Sequence, residues 1–283
     1  MKASAEPRRA RKRFGQHFLE RAWVDKVIRV VAPGPAQTFF EIGPGRGALT
    51  EPLAAAAARV VAIEIDRDLA RELRATAPAN LTVVEGDFLD VSPGRLQEAL
   101  SQAKQLDPTL DAGGIGVRVV GNLPYNVASP ILFKLTELYA AGLPLTDATV
   151  MLQREVADRL LARPGSREYG VLSVRIHHVA DVDRLLVLPP GAFRPAPRVH
   201  SAVVRLRFHS DEPAAKSRQA FAALVQGVFT RRRKTLANAL LACAPASKTS
   251  ISGALSRSGI DGRRRPETLE VAEFVRLSDA FLE

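Results

Sequence analysis

Asn122-Leu123-Pro124-Tyr125 is the stretch whose residue types and order could do chemistry. The Asn122 side chain offers an amide oxygen as an acceptor. Pro124 has no N–H and biases Leu123 toward an extended conformation, which can turn the Leu123 carbonyl outward. Tyr125 adds a flat aromatic face. Two acceptors beside a stacking ring suit an exocyclic amino group on a flat heterocycle, such as N6 of adenine. That nitrogen is a poor nucleophile because its lone pair is delocalised into the ring. Two acceptors on its hydrogens would draw it toward tetrahedral geometry and release the lone pair. Taken alone, these four residues are better read as a turn that merely ends a strand. The rest of the chain reverses that reading.

A second constellation is Glu41-x-Gly43-x-Gly45-x-Gly47. A glycine loop between a strand and a helix lets the backbone approach a ligand closely. Position 48 is alanine, so pyrophosphate of a nicotinamide dinucleotide is the weaker ligand and stays an alternative. Glu64 lies twenty-one residues after Gly43, where a carboxylate can accept both hydroxyls of a ribose. Asp87 is placed to meet an adenine amino group. A ribose acceptor and an adenine acceptor without an evident phosphate clamp suit S-adenosylmethionine, whose sulfonium carries an activated methyl and needs neither a metal nor a covalent nucleophile. The alternative for either acid alone is a solvated loop carboxylate.

The elements that must hold these residues follow from the apolar pattern. Val24, Val27, Ile28 and Val31 have helical spacing within residues 21–31, and Pro33-Gly34-Pro35 ends that helix. Strands are expected over 38–42, 59–66, 81–87 and 119–122, with helices opening near 47 and over 68–75 and 95–104. The glycines and acids singled out above fall at the carboxyl ends of these strands. Alternating strands and helices predict a parallel sheet with helices on both faces and ligands beyond the carboxyl ends of the strands. A helix over 131–139, a strand over 148–152 and a helix over 155–162 continue the pattern. Residues 171–178, 185–188 and 201–206 read as further strands whose antiparallel pairing would close the sheet. The polar stretch 209–216 reads as a linker, and only helical patterns follow. The domains expected are therefore 1–208, an α/β domain with a basic N-terminal arm, and 209–283, a small helical domain.

The 283 residues carry 40 Lys and Arg against 30 Asp and Glu, a net charge of +10, which points to a polyanionic partner, nucleic acid before anionic membrane. With 46% hydrophobic residues the chain can bury a sizeable core. No apolar run is long enough to span a bilayer. The one cysteine, Cys243, excludes an internal disulfide framework and fits a reducing compartment. The first residues hold no apolar signal region, so a cytoplasmic protein is expected rather than one led by a transit peptide. Arg11, Lys12 and Arg13 of the arm and the run Arg231-Arg232-Arg233-Lys234 are candidate phosphate contacts, with a solvated charged face as the alternative. His177, His178, His200 and His209 show no metal-ligand spacing, and no metal is expected.

Together these motifs resemble the ribosomal RNA adenine dimethyltransferases of the KsgA/RsmA type. The likeness runs from about Arg11 to the C-terminus. It is carried by Arg13-Phe14-Gly15-Gln16-His17-Phe18-Leu19, Glu41-Ile42-Gly43-Pro44-Gly45, Asn122-Leu123-Pro124-Tyr125, Leu152-Gln153-Arg154-Glu155-Val156, Tyr169-Gly170-Val171-Leu172-Ser173, the Phe193-Pro195-Pro197 segment and Arg232-Arg233-Lys234-Thr235. The resemblance implies a Rossmann-like S-adenosylmethionine methyltransferase domain, with a mostly parallel seven-stranded sheet, followed by a small helical domain. It implies transfer of four methyls, two to N6 of each of two adjacent adenosines near the 3′ end of small-subunit rRNA, in ribosome biogenesis. It implies cofactor contacts from His17, Leu19, Gly43, Gly45, Glu64, Asp87 and Asn122. Many relatives carry Asn at position 17. Phe193 becomes a candidate second stacking ring opposite Tyr125, with a core phenylalanine as the alternative. The loop 102–116 is longer than expected for such proteins.

Two other readings remain. One is the related antibiotic-resistance methyltransferase of large-subunit rRNA, against which the Arg-Arg-Lys-Thr helix expected in the last domain argues. The other is mainly an RNA-binding assembly factor. The expected partner is small-subunit rRNA or an immature small subunit, and the expected state is a monomer.

Overall fold

A computed structural model describes residues 17–105, 116–210, 213–243 and 248–283. The chain divides into two compact units. The first comprises residues 1–154 with 184–205, and the second comprises 155–183 with 206–283. The second unit thus takes in a segment that precedes the 208/209 boundary expected from composition.

The first unit is organised by β2 (Thr38–Ile42), β3 (Arg59–Glu64), β4 (Leu81–Glu85) and β5 (Val117–Asn122). β2 and β3 are buried at every position, as strands covered on both faces must be. With β6 (Leu145–Gln153), β7 (Ala180–Leu188) and β9 (Ser201–Phe208) they form a seven-stranded sheet in the order β4-β3-β2-β5-β6-β9-β7. The pairs β2–β3, β3–β4, β2–β5 and β5–β6 are parallel. From β2 the chain runs outward through β3 to β4 and then returns to lay β5 on the other side of β2. This reversal opens a crevice at the carboxyl ends of β2 and β5, where sheets of this kind bind ligands. The glycine loop and the Asn122 corner are what those two ends carry.

α1 (Arg21–Val31) buries Val24, Val27 and Val31, the apolar spacing read from sequence. A two-stranded antiparallel ribbon of β1 (Phe18–Leu19) and β8 (Phe193–Arg194) was not expected; it pairs Leu19 with Phe193. Leu19 and Phe193 belong to the same core cluster as Val24, Val27, Phe39, Leu53, Leu188 and Val203.

Residues 171–178, read as a strand, instead form the helix α7 (Val171–His177) in the second unit. Val, Leu and Ile favour strands on average, but this run does not alternate: Leu172, Ser173, Val174 and Ile176 are all buried. The Ser173 hydroxyl accepts from Gly170 N–H at 3.1 Å and donates to the Arg159 carbonyl at 2.6 Å, which fixes the helix start. α8 (Arg218–Phe229), α9 (Leu236–Cys243), α10 (Lys248–Ser258) and α11 (Val271–Ala280) complete this unit around Phe221, Val225, Leu236, Leu240, Ile251 and Phe274. Tyr169 is fully buried among them and donates its hydroxyl to the Leu269 carbonyl at 2.9 Å.

Candidate active site

The loop after β2 needs glycine. Gly43, Gly45 and Gly47 have φ of 66°, 60° and 82°, a region that L side chains rarely adopt. A Cβ on Gly45 would also stand 3.3 Å from the Phe18 ring. The loop is bolted to the end of β3 by Glu64, whose Oε2 accepts from Gly45 N–H at 2.9 Å and whose Oε1 accepts from Asp66 N–H at 2.8 Å. Burial pushes the Glu64 carboxyl up, and the two N–H groups oppose that shift. A carboxylate has about four acceptor sites, so lone pairs remain for ribose hydroxyls. Asp87 follows β4 and accepts from Leu89 N–H through Oδ1 at 2.9 Å, leaving its second oxygen for a ligand.

Glu41, at the end of β2, is 1% exposed, and its Oε2 has no hydrogen-bond partner among the described residues. Burial pushes its carboxyl up to about 8, the Glu64 carboxylate adds to the shift and the Thr50 hydroxyl opposes it. Thr50 Oγ1 is near enough to act on Glu41 but makes no hydrogen bond in this geometry.

The acceptor corner is built by the end of β5. Leu123 N–H bonds the Met151 carbonyl at 2.9 Å, which carries the ladder with β6 one residue past the strand. The Asn122 amide nitrogen donates to the His17 carbonyl at 2.7 Å. With the nitrogen so occupied, the amide oxygen is left as the acceptor. Among the described residues no donor meets the Leu123 carbonyl. The Tyr125 hydroxyl bonds Ser201 Oγ at 2.6 Å, and burial pushes its phenol further up, so the ring stays neutral. The His17 imidazole stacks on the Tyr125 ring, with centroids 5.3 Å apart and planes at 25°, and its Nδ1 lies 2.7 Å from the Pro195 carbonyl. A base arriving on Tyr125 must displace or flank that imidazole.

Every cofactor-contact residue expected from sequence, together with the four residues of the corner, lines one cavity of about 630 Å³. Phe193 does not. It is 0% exposed and packed in the core, so in this geometry it offers no face to a base, and Arg194 lines the cavity beside it. Sequence reading gave Glu41 no ligand role and missed Arg46, Ile65, Phe88 and Leu89, all of which also line it. Ile65 is 42% exposed because β3 stops at Glu64, although its sequence context reads as a strand continuing to Asp66. An exposed isoleucine beside a ribose-type carboxylate is a wall for a flat base.

The basic run differs from its expected form. Residues 230–235 are a turn between α8 and α9, not part of a helix. Arg231, Arg233 and Lys234 are exposed. Arg232 is not a free cation: its Nε donates to Glu267 Oε2 at 2.5 Å, its Nη2 to the Ser166 carbonyl at 3.1 Å and its Nη1 to the Arg167 carbonyl. Arg11, Lys12 and Arg13, and residues 106–115 of the loop 102–116, lie outside the described residues, while 102–105 belong to the helix Pro93–Gln105.

The donor set decides between the two cofactors. The Gly45 N–H that a pyrophosphate would use is already held by Glu64, so the loop leaves a pyrophosphate no free N–H at that position. Fold and site define an S-adenosylmethionine-dependent methyltransferase.

A family model described as ribosomal RNA adenine dimethylase matches residues 8–282. The chain is 43% identical over 278 residues to a ribosomal RNA small subunit methyltransferase A of Acinetobacter baylyi, covering 97% of this chain and 93% of that one. It is 42% identical to the protein of the same name from Xanthomonas campestris, covering 96% and 97%. In fold it is similar to a dimethyladenosine transferase from Plasmodium falciparum (TM-score 0.71, 23% identity, 92% of this chain and 96% of that one). It is also similar in fold to the 23S rRNA methyltransferase ErmE (TM-score 0.60, 24% identity, 94% and 100%). The chain belongs to the ribosomal RNA adenine dimethylase family.

Proposed function

We propose that this protein methylates N6 of two adjacent adenosines near the 3′ end of small-subunit rRNA, twice each, during assembly of the small ribosomal subunit. The observation that carries the reading is the fixed amide of Asn122: its nitrogen is held by the His17 carbonyl, so its oxygen and the Leu123 carbonyl are the two acceptors for an amino group. Bound in the cavity, S-adenosylmethionine supplies a methyl activated by its sulfonium. Glu64 holds the ribose, and Asp87 with Ile65, Phe88 and Leu89 holds the adenine. Asn122 and Leu123 hold the amino hydrogens of the target adenine and aim its lone pair, so positioning supplies much of the acceleration. Transfer breaks the S–CH3 bond, leaves the donor as its neutral thioether and puts the charge on N6, which gives one proton to solvent; one N–H then remains, and one acceptor suffices while the new methyl takes the other's place.

The target base must leave its stack to reach the corner, so the substrate is a loop or an opened end. Tyr125 is the stacking ring for that base. Arg231, Arg233 and Lys234, with Arg11, Lys12 and Arg13 of the N-terminal arm, contact phosphates, and the helices of 209–283 act as the RNA-binding domain. The relatives named for the small subunit favour it over the large one. Among the described residues no helix is long and apolar enough to cross a membrane. We place the protein in the cytoplasm as a monomer. Incubation with labelled S-adenosylmethionine and unmodified small subunits, naked small-subunit rRNA or large subunits, followed by mapping of the label, tests the reading. Label confined to large-subunit RNA would favour the antibiotic-resistance type.

A further inference from the structure

Glu41 is an acid that the sheet itself does not use. It lies on β2, where its backbone pairs with Ala62 of β3 and Val120 of β5. Its side chain is buried, and Oε2 meets no hydrogen-bond partner among the described residues. Thr50, at the start of the helix Thr50–Ala56, is equally buried, and its hydroxyl is unpartnered too. The other acids of the cavity are provided for: Glu64 takes two backbone N–H groups and Asp87 takes one. A buried carboxyl left without a partner is held in its neutral form, because the charged form has lost its water and gained nothing.

Glu41 shares the wall of the donor cavity with Glu64 and Asn122. Few groups act on its carboxyl. From β3 the Glu64 carboxylate opposes ionisation, and from the following helix the Thr50 hydroxyl favours it. β5, where its neighbour is Val120, sets no titratable group beside it, and among the described residues no cation acts on it. The counter-charge that Glu41 lacks is one that the donor brings. At neutral pH S-adenosylmethionine carries an ammonium, a carboxylate and a sulfonium, so it is a net cation. The demethylated product keeps the first two and loses the sulfonium charge, so it is net neutral. An opposite charge a few ångströms away lowers a carboxyl by about 1–3 pH units.

We propose that Glu41 distinguishes donor from product by charge: it gives its proton to solvent when the cationic donor fills the cavity, and takes one back once the methyl has left. This rests on the donor assignment above and adds the group that favours exchange of spent donor for fresh. The protons balance. Glu41 releases one on donor binding. The bond to the methyl breaks with its electron pair returning to sulfur, and N6 sheds one proton as the new C–N bond forms. The Glu41 carboxylate then recovers one, so each cycle releases a single net proton. The product faces a neutral carboxyl, and the attraction that held the donor is gone. An enzyme that puts two methyls on one base must empty and refill this cavity between them.

The test is calorimetry of the full chain, wild type and Glu41→Gln, with S-adenosylmethionine, S-adenosylhomocysteine and sinefungin, an unreactive analogue with a protonated amine in place of the sulfonium. Titrations in buffers of unlike ionisation enthalpy count the protons released. Wild type should release about one proton with the donor or sinefungin near neutral pH, and none with the product. Because binding expels a proton, donor affinity should strengthen as pH rises, by up to about tenfold per pH unit. It should level off above the folded value of about 8, where Glu41 is already ionised. Product affinity should stay flat. Glu41→Gln should release no proton, lose the slope and narrow the donor-to-product affinity ratio by about tenfold near neutral pH. Thermal melts check that the variant is folded, and the wild-type comparison of donor with product stands without it. Equal proton release with donor and product would overturn the inference and leave the donor assignment intact. So would release that persists in Glu41→Gln and therefore comes from another group. Wild type that binds none of the three compounds would sink the assignment and the inference with it.

Discussion

The side-chain nitrogen of Asn122 donates to the main-chain carbonyl of His17 at 2.7 Å, across 105 residues of sequence. Because the acceptor is backbone, any residue at position 17 can supply it, and the orientation of the amide is independent of the imidazole. Asn122→Ala removes the acceptor and should cut turnover about 10²–10³-fold, similar to deleting one group from an oxyanion hole, with subunit binding nearly intact. His17→Ala should keep most of the turnover that Asn122→Ala loses. Single-turnover rates with purified subunits check both.

Glu64 has two tasks, and its loss should show in two measurements. Its carboxylate holds Gly45 and Asp66 N–H groups and also faces the donor cavity. Glu64→Ala should weaken donor binding by about 2–3 kcal/mol for a charged acceptor and lower the melting temperature. Glu64→Gln should not rescue it, because one end of an amide is a donor and would face an N–H. Calorimetry with S-adenosylmethionine and thermal melts are the readouts. Wild-type donor affinity in Glu64→Ala would remove it from the site.

The two aromatic candidates separate in the same way. Tyr125→Ala should lose about 1–3 kcal/mol of base stacking with little change in folding, and Tyr125→Phe should keep most activity. Phe193→Ala leaves a hole in the core and should destabilise the fold by about 3–5 kcal/mol. Denaturant melts beside Michaelis constants for subunits distinguish the two outcomes.

Glu41 gives the stability a pH dependence. Its folded carboxyl is pushed up from 4.5 to about 8, so the folded state holds the proton more tightly than the unfolded chain. Stability contributed by the protonated form is fully present below the unfolded value and is lost as pH rises through the folded one. Between about pH 5 and 8 this group lowers stability by up to roughly 1.4 kcal/mol per pH unit. Glu41→Gln should flatten the profile across that window, measured by urea unfolding at constant ionic strength.

The parts of the site readable from sequence were those set by local pattern. β2, β3 and β5 are apolar runs closed by turn residues, and the order of strands and helices alone places Gly43, Glu64, Asp87 and Asn122 at one edge of the sheet. What stayed unreadable depends on distant partners. Phe193 is buried because it pairs with Leu19, far back in the chain. Arg232 is half-buried and held within its own unit because Glu267, Ser166 and Arg167 take its guanidinium. Residues 171–177 coil into a helix because Ser173 finds the Arg159 carbonyl, a contact that the propensities of valine and isoleucine do not report. Two-residue strands such as β1 and β8 have no period to detect.

In the proposed mechanism Asn122 and the Leu123 carbonyl prepare adenine N6 for two successive transfers. Mass spectrometry of nucleosides from unmodified small subunits, after incubation with excess S-adenosylmethionine and either wild type or Asn122→Ala, tests it most directly. The expected result is N6,N6-dimethyladenosine at two adjacent positions near the 3′ end with wild type, and almost none with Asn122→Ala. A product that stays N6-monomethyladenosine with wild type, or full dimethylation by Asn122→Ala, would contradict it.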